Sequence, residues 1–184
     1  MTHAVHPEPQ ETRDWCWAAT SKSVMAYYNE KIGKETHSQC QVVSHSINFG
    51  VSEADCCPSE SASAKPECMG GGWPSNALGR HGFDYQVVQE PIDNWKVLTT
   101  EICENGPFLY ITELRGGGKH ALVAAGYGMS SGQQFVLIHD PTQEDFKYIP
   151  YEEFLGNVRD PDGSSPHSID RNYVQISQIV EDQP

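Results

Sequence analysis

The sequence predicts an α+β protein in which helices come first and an antiparallel sheet follows. Three observations carry this. Apolar residues recur at helical spacing from Trp17 onward. Beyond about residue 107 the spacing changes to two, or to short apolar runs. The two patterns are segregated rather than alternating, so a helical lobe packs on an antiparallel lobe and no parallel βαβ array is expected. The change of period falls between about residues 85 and 107. We read residues 1–184 as a single domain, with a helical lobe over about 1–90 and a β lobe over about 91–184.

Taken in order, residues 1–10 are an extended lead-in. Ser21, Val24, Met25 and Tyr28 follow Trp17 at offsets of four, seven, eight and eleven, a helical stripe. Asp14 is the expected N-cap and Gly33 the C′ residue. Cys16 then falls in the first turn, where the helix dipole favours negative charge. Ser38 can cap a second short helix carrying Val42, Val43 and Ile47. Residues 49–67 lack periodicity and read as a long loop. A short helix follows Pro74. Residues 83–88 alternate like a strand. Pro91 and Asp93 open a helix with Trp95, Leu98 and Ile102 on one face, closed near Gly106. Strands follow at 108–111, 120–125, 134–138 and 172–176, with a short helix at 151–155 and a Pro-, Gly- and Ser-rich loop at 160–168.

Length and composition exclude several classes. The chain has 184 residues and is 38% hydrophobic, which suits one well-filled domain. No apolar run approaches the roughly 20 residues that span a bilayer. Residues 1–7 carry no apolar signal core. A formal net charge of −13 argues against nucleic acid and anionic membrane as partners. A monomer is the default.

Six cysteines are present. Cys103, on the predicted amphipathic helix, is expected to pack as a small hydrophobe. Cys40, Cys56, Cys57 and Cys68 lie in one Gly-, Ser- and Pro-rich region. We expect two disulfides, with Cys40 paired into the Cys56-Cys57 dipeptide and the other member of the dipeptide paired to Cys68. Which is which stays open. A zinc site is the rival, disfavoured because there is no Cys-x-x-Cys and adjacent cysteines suit tetrahedral ligation poorly. Disulfides imply a secreted or otherwise extracytoplasmic protein, with any signal or propeptide outside this chain.

Four residues form a pattern. Gln10 precedes Cys16-Trp17-Ala18-Ala19 by six positions. His120 opens an apolar run after a Gly-rich hairpin, and the run ends Gly126-Tyr127-Gly128. Asp140 ends the run Phe135-Val136-Leu137-Ile138-His139, before Pro141. A thiol nucleophile needs a base, a group to orient that base and an oxyanion donor. Here a Cys, a His, an Asp and a Gln stand in suitable local structure. His139 competes with His120 but points to the opposite face of its strand from Asp140.

This set, in this order, resembles the papain-like cysteine proteases. It is most similar to the compact bacterial branch of AvrRpt2-type effector proteases and C39-like peptidases. The resemblance runs from Gln10 to about Pro141 and implies a two-lobe fold with the active-site cleft between the lobes. It implies Cys16 as nucleophile, His120 as base, Asp140 as orienting group, and Gln10 with the Cys16 amide as oxyanion donors. Cys68 through Pro74 is similar to the family's substrate rim, so Gly71, Gly72 and Trp73 are expected at the substrate, with Trp17 beside them and Trp73 bounding a hydrophobic P2 site. Arg13 stands where papain-type enzymes have a disulfide cysteine. Pro141-Thr142 stands where papain has Ser and a shielding Trp. The implied activity is a secreted bacterial cysteine endopeptidase acting on peptides or proteins through a thioester, with no metal or organic cofactor. Alternatives are the same thioester used by a deamidase, transpeptidase or peptidoglycan amidase, or a non-catalytic binding module.

Overall fold

A computed structural model describes residues 1–47, 50–59, 63–114, 117–156 and 167–179. Six α-helices are present among them: α1 (Cys16–Glu30), α2 (Gln39–Ser46), α3 (Glu53–Cys56), α4 (Pro74–Arg80), α5 (Trp95–Thr100) and α6 (Tyr151–Phe154). Six strands, β1 (Phe83–Val88), β2 (Phe108–Leu114), β3 (Lys119–Ser130), β4 (Gln133–His139), β5 (Phe146–Pro150) and β6 (His167–Gln178), form one antiparallel sheet in the order β1-β6-β2-β3-β4-β5. Among the described residues no helix is long and apolar enough to cross a membrane.

The sheet is covered on both faces. Leu109, Ile111, Ala121 and Val123 face α1, α2 and α4, whose Trp17, Val24, Met25, Val42, Val43 and Leu78 complete one core. The alternate residues Phe108, Tyr110, Leu122 and Ala124 face α5 and α6, with Leu98, Ile102 and Phe154. Period-two alternation thus feeds two cores at once. β1 joins the sheet beside β6, although it precedes residue 91.

The local elements differ from expectation in definite ways. Trp15, not Asp14, is the N-cap of α1, with no side-chain cap, because residues 12–15 already close a turn through Trp15 N–H to Thr12 O at 3.2 Å. Cys16 is therefore the first helical residue. α1 proper ends at Glu30, and Gly33 at φ +68° lets Lys34 N–H reach back to Asn29 O at 3.0 Å, the left-handed cap that favours glycine. Ser38 caps α2 with a reciprocal Gln41 bond, as read. One-turn α3 and a 3₁₀ turn at Pro66–Met69 lie in the expected loop, of which residues 49 and 60–62 are outside the described residues. α3 is too short to show a period, yet its Asp55 carboxylate accepts both Ser52 N–H and Ser52 Oγ–H. Asn94 rather than Asp93 caps α5, accepting from Lys96 and Val97 N–H. α5 widens into a π turn at Glu101–Asn105, and this rotates Cys103 to solvent; it is exposed, not packed. β5 has no counterpart among the expected strands. It is a short edge strand ending in Pro150, with Lys147 and Tyr148 exposed, so it lacks an apolar signature. Of the expected 160–168 loop, residues 160–166 lie outside the described residues and 167 begins β6.

The disulfides close as Cys40–Cys57 and Cys56–Cys68. They tie α2 to α3 and α3 to the 3₁₀ turn that leads into residues 70–73. The lead-in is a strap. Met1 and His3 pair with β3 through Tyr127 and Ala125, and Gln39 holds the backbone of Pro9 and Glu11.

Candidate active site

Cys16 and His120 come from opposite lobes. Cys16 opens α1, so its amide is among the first-turn N–H groups without an intrahelical acceptor. His120 sits at the start of β3, paired with Thr112 of β2. Val123 of β3 pairs with His139 of β4, and this register carries Asp140, just past the end of β4, alongside His120. His120 Nε2 bonds Asp140 Oδ1 at 2.7 Å, and the Cys16 sulfur is a second polar partner of the ring.

The electrostatics follow from this placement. Burial alone would lower the His120 pKa. Hydrogen bonds and charge from Asp140 and Cys16 outweigh it and hold the ring at about 9. Burial alone would raise the pKa of Asp140. The His120 bond and two bonds from Thr142, its N–H at 2.9 Å and its Oγ1 at 2.8 Å, outweigh that and bring it to about 2. Thr142 is a residue that the sequence reading missed. Asp-Pro-Thr is a turn pattern that could have flagged it. A cavity of about 400 Å³ opens beside the pair, lined in part by Tyr110, His120, Leu122, Ile138 and Asp140. His139 is fully buried; its Nε2 accepts the Glu8 N–H at 3.0 Å and so holds the strap.

A family profile described as the papain-like cysteine protease AvrRpt2 matches residues 2–159. The chain belongs to this family. A comparison with curated protein sequences finds no match. Among solved structures, the AvrRpt2-family chain is similar to one from work on the mite allergens Blo t 1 and Der p 1, at 13% identity and TM-score 0.59, covering 92% of this chain and 66% of that one. It is similar to procathepsin L2 from the larval midgut of Tenebrio molitor, at 13% identity and TM-score 0.57, covering 92% and 64%. Bromelain from Ananas comosus, in complex with the E64 inhibitor, gives 18% identity and TM-score 0.52, covering 93% and 94%. These likenesses show the papain-like fold. The chain spans about two thirds of the length of the first two.

The remaining expected site residues of this AvrRpt2-family chain lie as follows. Gln10 N–H bonds Pro141 O at 2.8 Å, which ties its loop to the Asp140 turn. Its side-chain Nε2 donates to Thr12 O at 2.9 Å and Arg13 O at 2.6 Å, folding onto the turn that enters Cys16. Gly71 is exposed; Gly72 and Trp73 are half-buried. Trp17 is only 2% exposed, so it lies beneath the rim rather than on it. A Cβ at Gly72 would come within 2.5 Å of Trp17 Cε2, so this glycine is required by close approach. Gly72→Ala is expected to destabilise the fold by about 1–3 kcal/mol through overpacking and to raise KM by displacing the rim. Urea unfolding and peptide kinetics on the variant check this, and unchanged values in both would refute it. Trp73 does not stand bare. The Arg171 guanidinium lies 4.4 Å from its ring centroid and the Lys119 ammonium 5.6 Å away, so cations overlie the expected apolar wall. Arg171 is about a hundred residues from Trp73 in sequence, and only the β6 register brings it there.

Proposed function

We propose that this chain hydrolyses peptide bonds in protein or peptide substrates, with Cys16, His120 and Asp140 as a catalytic triad. The observation that carries the reading is the position of His120, partnered on one side by the Cys16 sulfur and on the other by Asp140. His120 takes the Cys16 proton, and the thiolate attacks the carbonyl carbon. The tetrahedral oxyanion is held by the Cys16 N–H and the Gln10 amide, which joins by exchanging one of its two loop carbonyls for the oxyanion. His120 then protonates the leaving amine. Water, deprotonated by His120, attacks the thioester carbonyl and releases the acid and the free thiol. Asp140 keeps the imidazole oriented and supports its charge. Gly71, Gly72 and Trp73 border the substrate, with Trp17 as the floor under Gly72.

Labelling with an epoxide inhibitor tests the chemistry. One equivalent should attach, peptide mapping should place it on Cys16, and His120→Ala should not label. Gln10→Ala should still label but lose about 10²–10³-fold in kcat on a peptide library. Label on Cys103 instead, or full labelling of His120→Ala, would remove the assignment. Product masses separate cleavage from deamidation or transfer. We further propose that the protein works as a monomer in an oxidising, extracytoplasmic compartment, as a secreted bacterial protease or effector; its two disulfides support that location.

A further inference from the structure

The geometry points to a second site on the helical lobe: His37, His45 and His81 form a binding site for a zinc ion. No short ligand motif marks it in the sequence. His37 lies one residue before the Ser38 cap, His45 is in the last turn of α2, and His81 follows α4 directly. Folding gathers the three rings, with centroid separations of 4.6, 5.2 and 5.3 Å, and one ligating nitrogen from each lies within 4.8 Å of the others. Tetrahedral zinc with Zn–N bonds near 2.0–2.1 Å needs nitrogens about 3.4 Å apart. His37 and His45 are exposed, so rotation of their side chains can close that gap against the half-buried His81.

Two further observations favour a ligand there. His81 Nε2 is buried yet has no hydrogen-bond partner, and a buried ring nitrogen normally has one. Glu53 Oε2 stands 3.6 Å from His45 Nε2, while Gln41 occupies Oε1 at 3.0 Å. The open carboxylate oxygen can serve as a fourth ligand or steady His45 from outside the coordination shell. Three imidazoles and a carboxylate suit zinc over magnesium or calcium, which want oxygen alone. The site is separate from Cys16. Met25 and Asn29 of α1 wall the adjoining cavity of about 200 Å³ with His37 and His81, and Met25 is nine residues, roughly 14 Å of helix, from Cys16. Bound zinc would staple the α1–α2 connection, α2 and the α4–β1 turn together, beside the disulfide that already joins α2 to α3.

The test uses the untagged, disulfide-intact chain in a Cys16→Ala background, so that the active-site thiol cannot compete. After chelator treatment it is titrated with zinc chloride by calorimetry. One equivalent should bind, with a dissociation constant of about 10 µM or tighter, and saturating zinc should raise the melting temperature by several degrees. Glu53→Gln should weaken binding by about 10–100-fold. His37→Ala and His45→Ala should each weaken it more, and the double variant should abolish it together with the thermal shift. Both side chains are exposed, and near-ultraviolet circular dichroism confirms that the variants fold; His37→Asn, which alters only a loop side chain, serves if the α2 variant does not. Absence of binding to the parent chain, or binding and thermal shift retained in the folded His37 variants, overturns the site.

Discussion

Asp140→Ala is expected to lower kcat by about 10²–10⁴-fold while leaving the fold intact. The carboxylate does two things at once: it accepts the His120 Nε2 proton at 2.7 Å, and its charge helps keep the ring protonated to about pH 9. His120 has a raised pKa, so its pairing contributes stability fully present below its ordinary value of 6.5 and lost as pH rises through about 9. Asp140 has a lowered pKa, so its contribution is present above its ordinary value of 3.8 and lost as pH falls through about 2. The pair is therefore complete between about pH 4 and 6.5 and fades toward 9. Without the carboxylate the alkaline limb of kcat/KM should move well below 9. Asp140→Asn keeps an acceptor oxygen but not the charge. It should recover part of kcat and still show the displaced limb. Peptide hydrolysis measured from pH 4 to 10 on both variants decides this. An alkaline limb unmoved in both would mean that the Asp140 charge does not sustain the imidazolium.

Removing Cys56–Cys68 should cost about 3 kcal/mol, the loop-closure value for a loop near its 12-residue separation. At this chain length that corresponds to a melting temperature lower by roughly 6–12 °C. The paired substitution to alanine is the clean variant, because Cys56 and Cys68 are 1% and 0% exposed and a serine would bury a hydroxyl. The effect should reach the site. Trp15 Nε1 donates to Cys68 O at 2.7 Å, so the disulfide locates the residue before Cys16 as well as the proposed substrate rim, residues 71–73. KM should rise along with the loss of stability. Thermal and urea unfolding under non-reducing conditions measure the first, and peptide kinetics the second. A stability change under about 0.5 kcal/mol would show that the bridge is dispensable. Thiol titration of the oxidised parent should count Cys16 and Cys103 only.

The parts legible in the sequence were those that depend on neighbours along the chain. The Trp17–Tyr28 stripe, the Ser38 cap, the alternation of β1 and the short apolar runs of β2, β3 and β4 are local patterns, legible directly in the sequence. Elements without a period were not legible: one-turn α3, edge strand β5 and the π turn that turns Cys103 outward. The distinction also runs through the site. Local context and chain order single out Gln10, Cys16, His120 and Asp140 as the proposed catalytic set.

Sequence alone determined the α+β class and the grouping of the disulfide cysteines, and it nominated the four residues proposed as catalytic, because periodicity, turn chemistry and motif spacing operate over a few residues. Tertiary structure alone decided the rest. It placed α5 and α6 on the far face of the sheet, joined Cys40 to Cys57, put Thr142 on the Asp140 carboxylate, and laid Arg171 over Trp73. It also gathered three histidines spread over 45 positions, from His37 to His81. Strand register and helix packing set these contacts, and both arise from burial of surfaces distant in sequence, which no local pattern encodes.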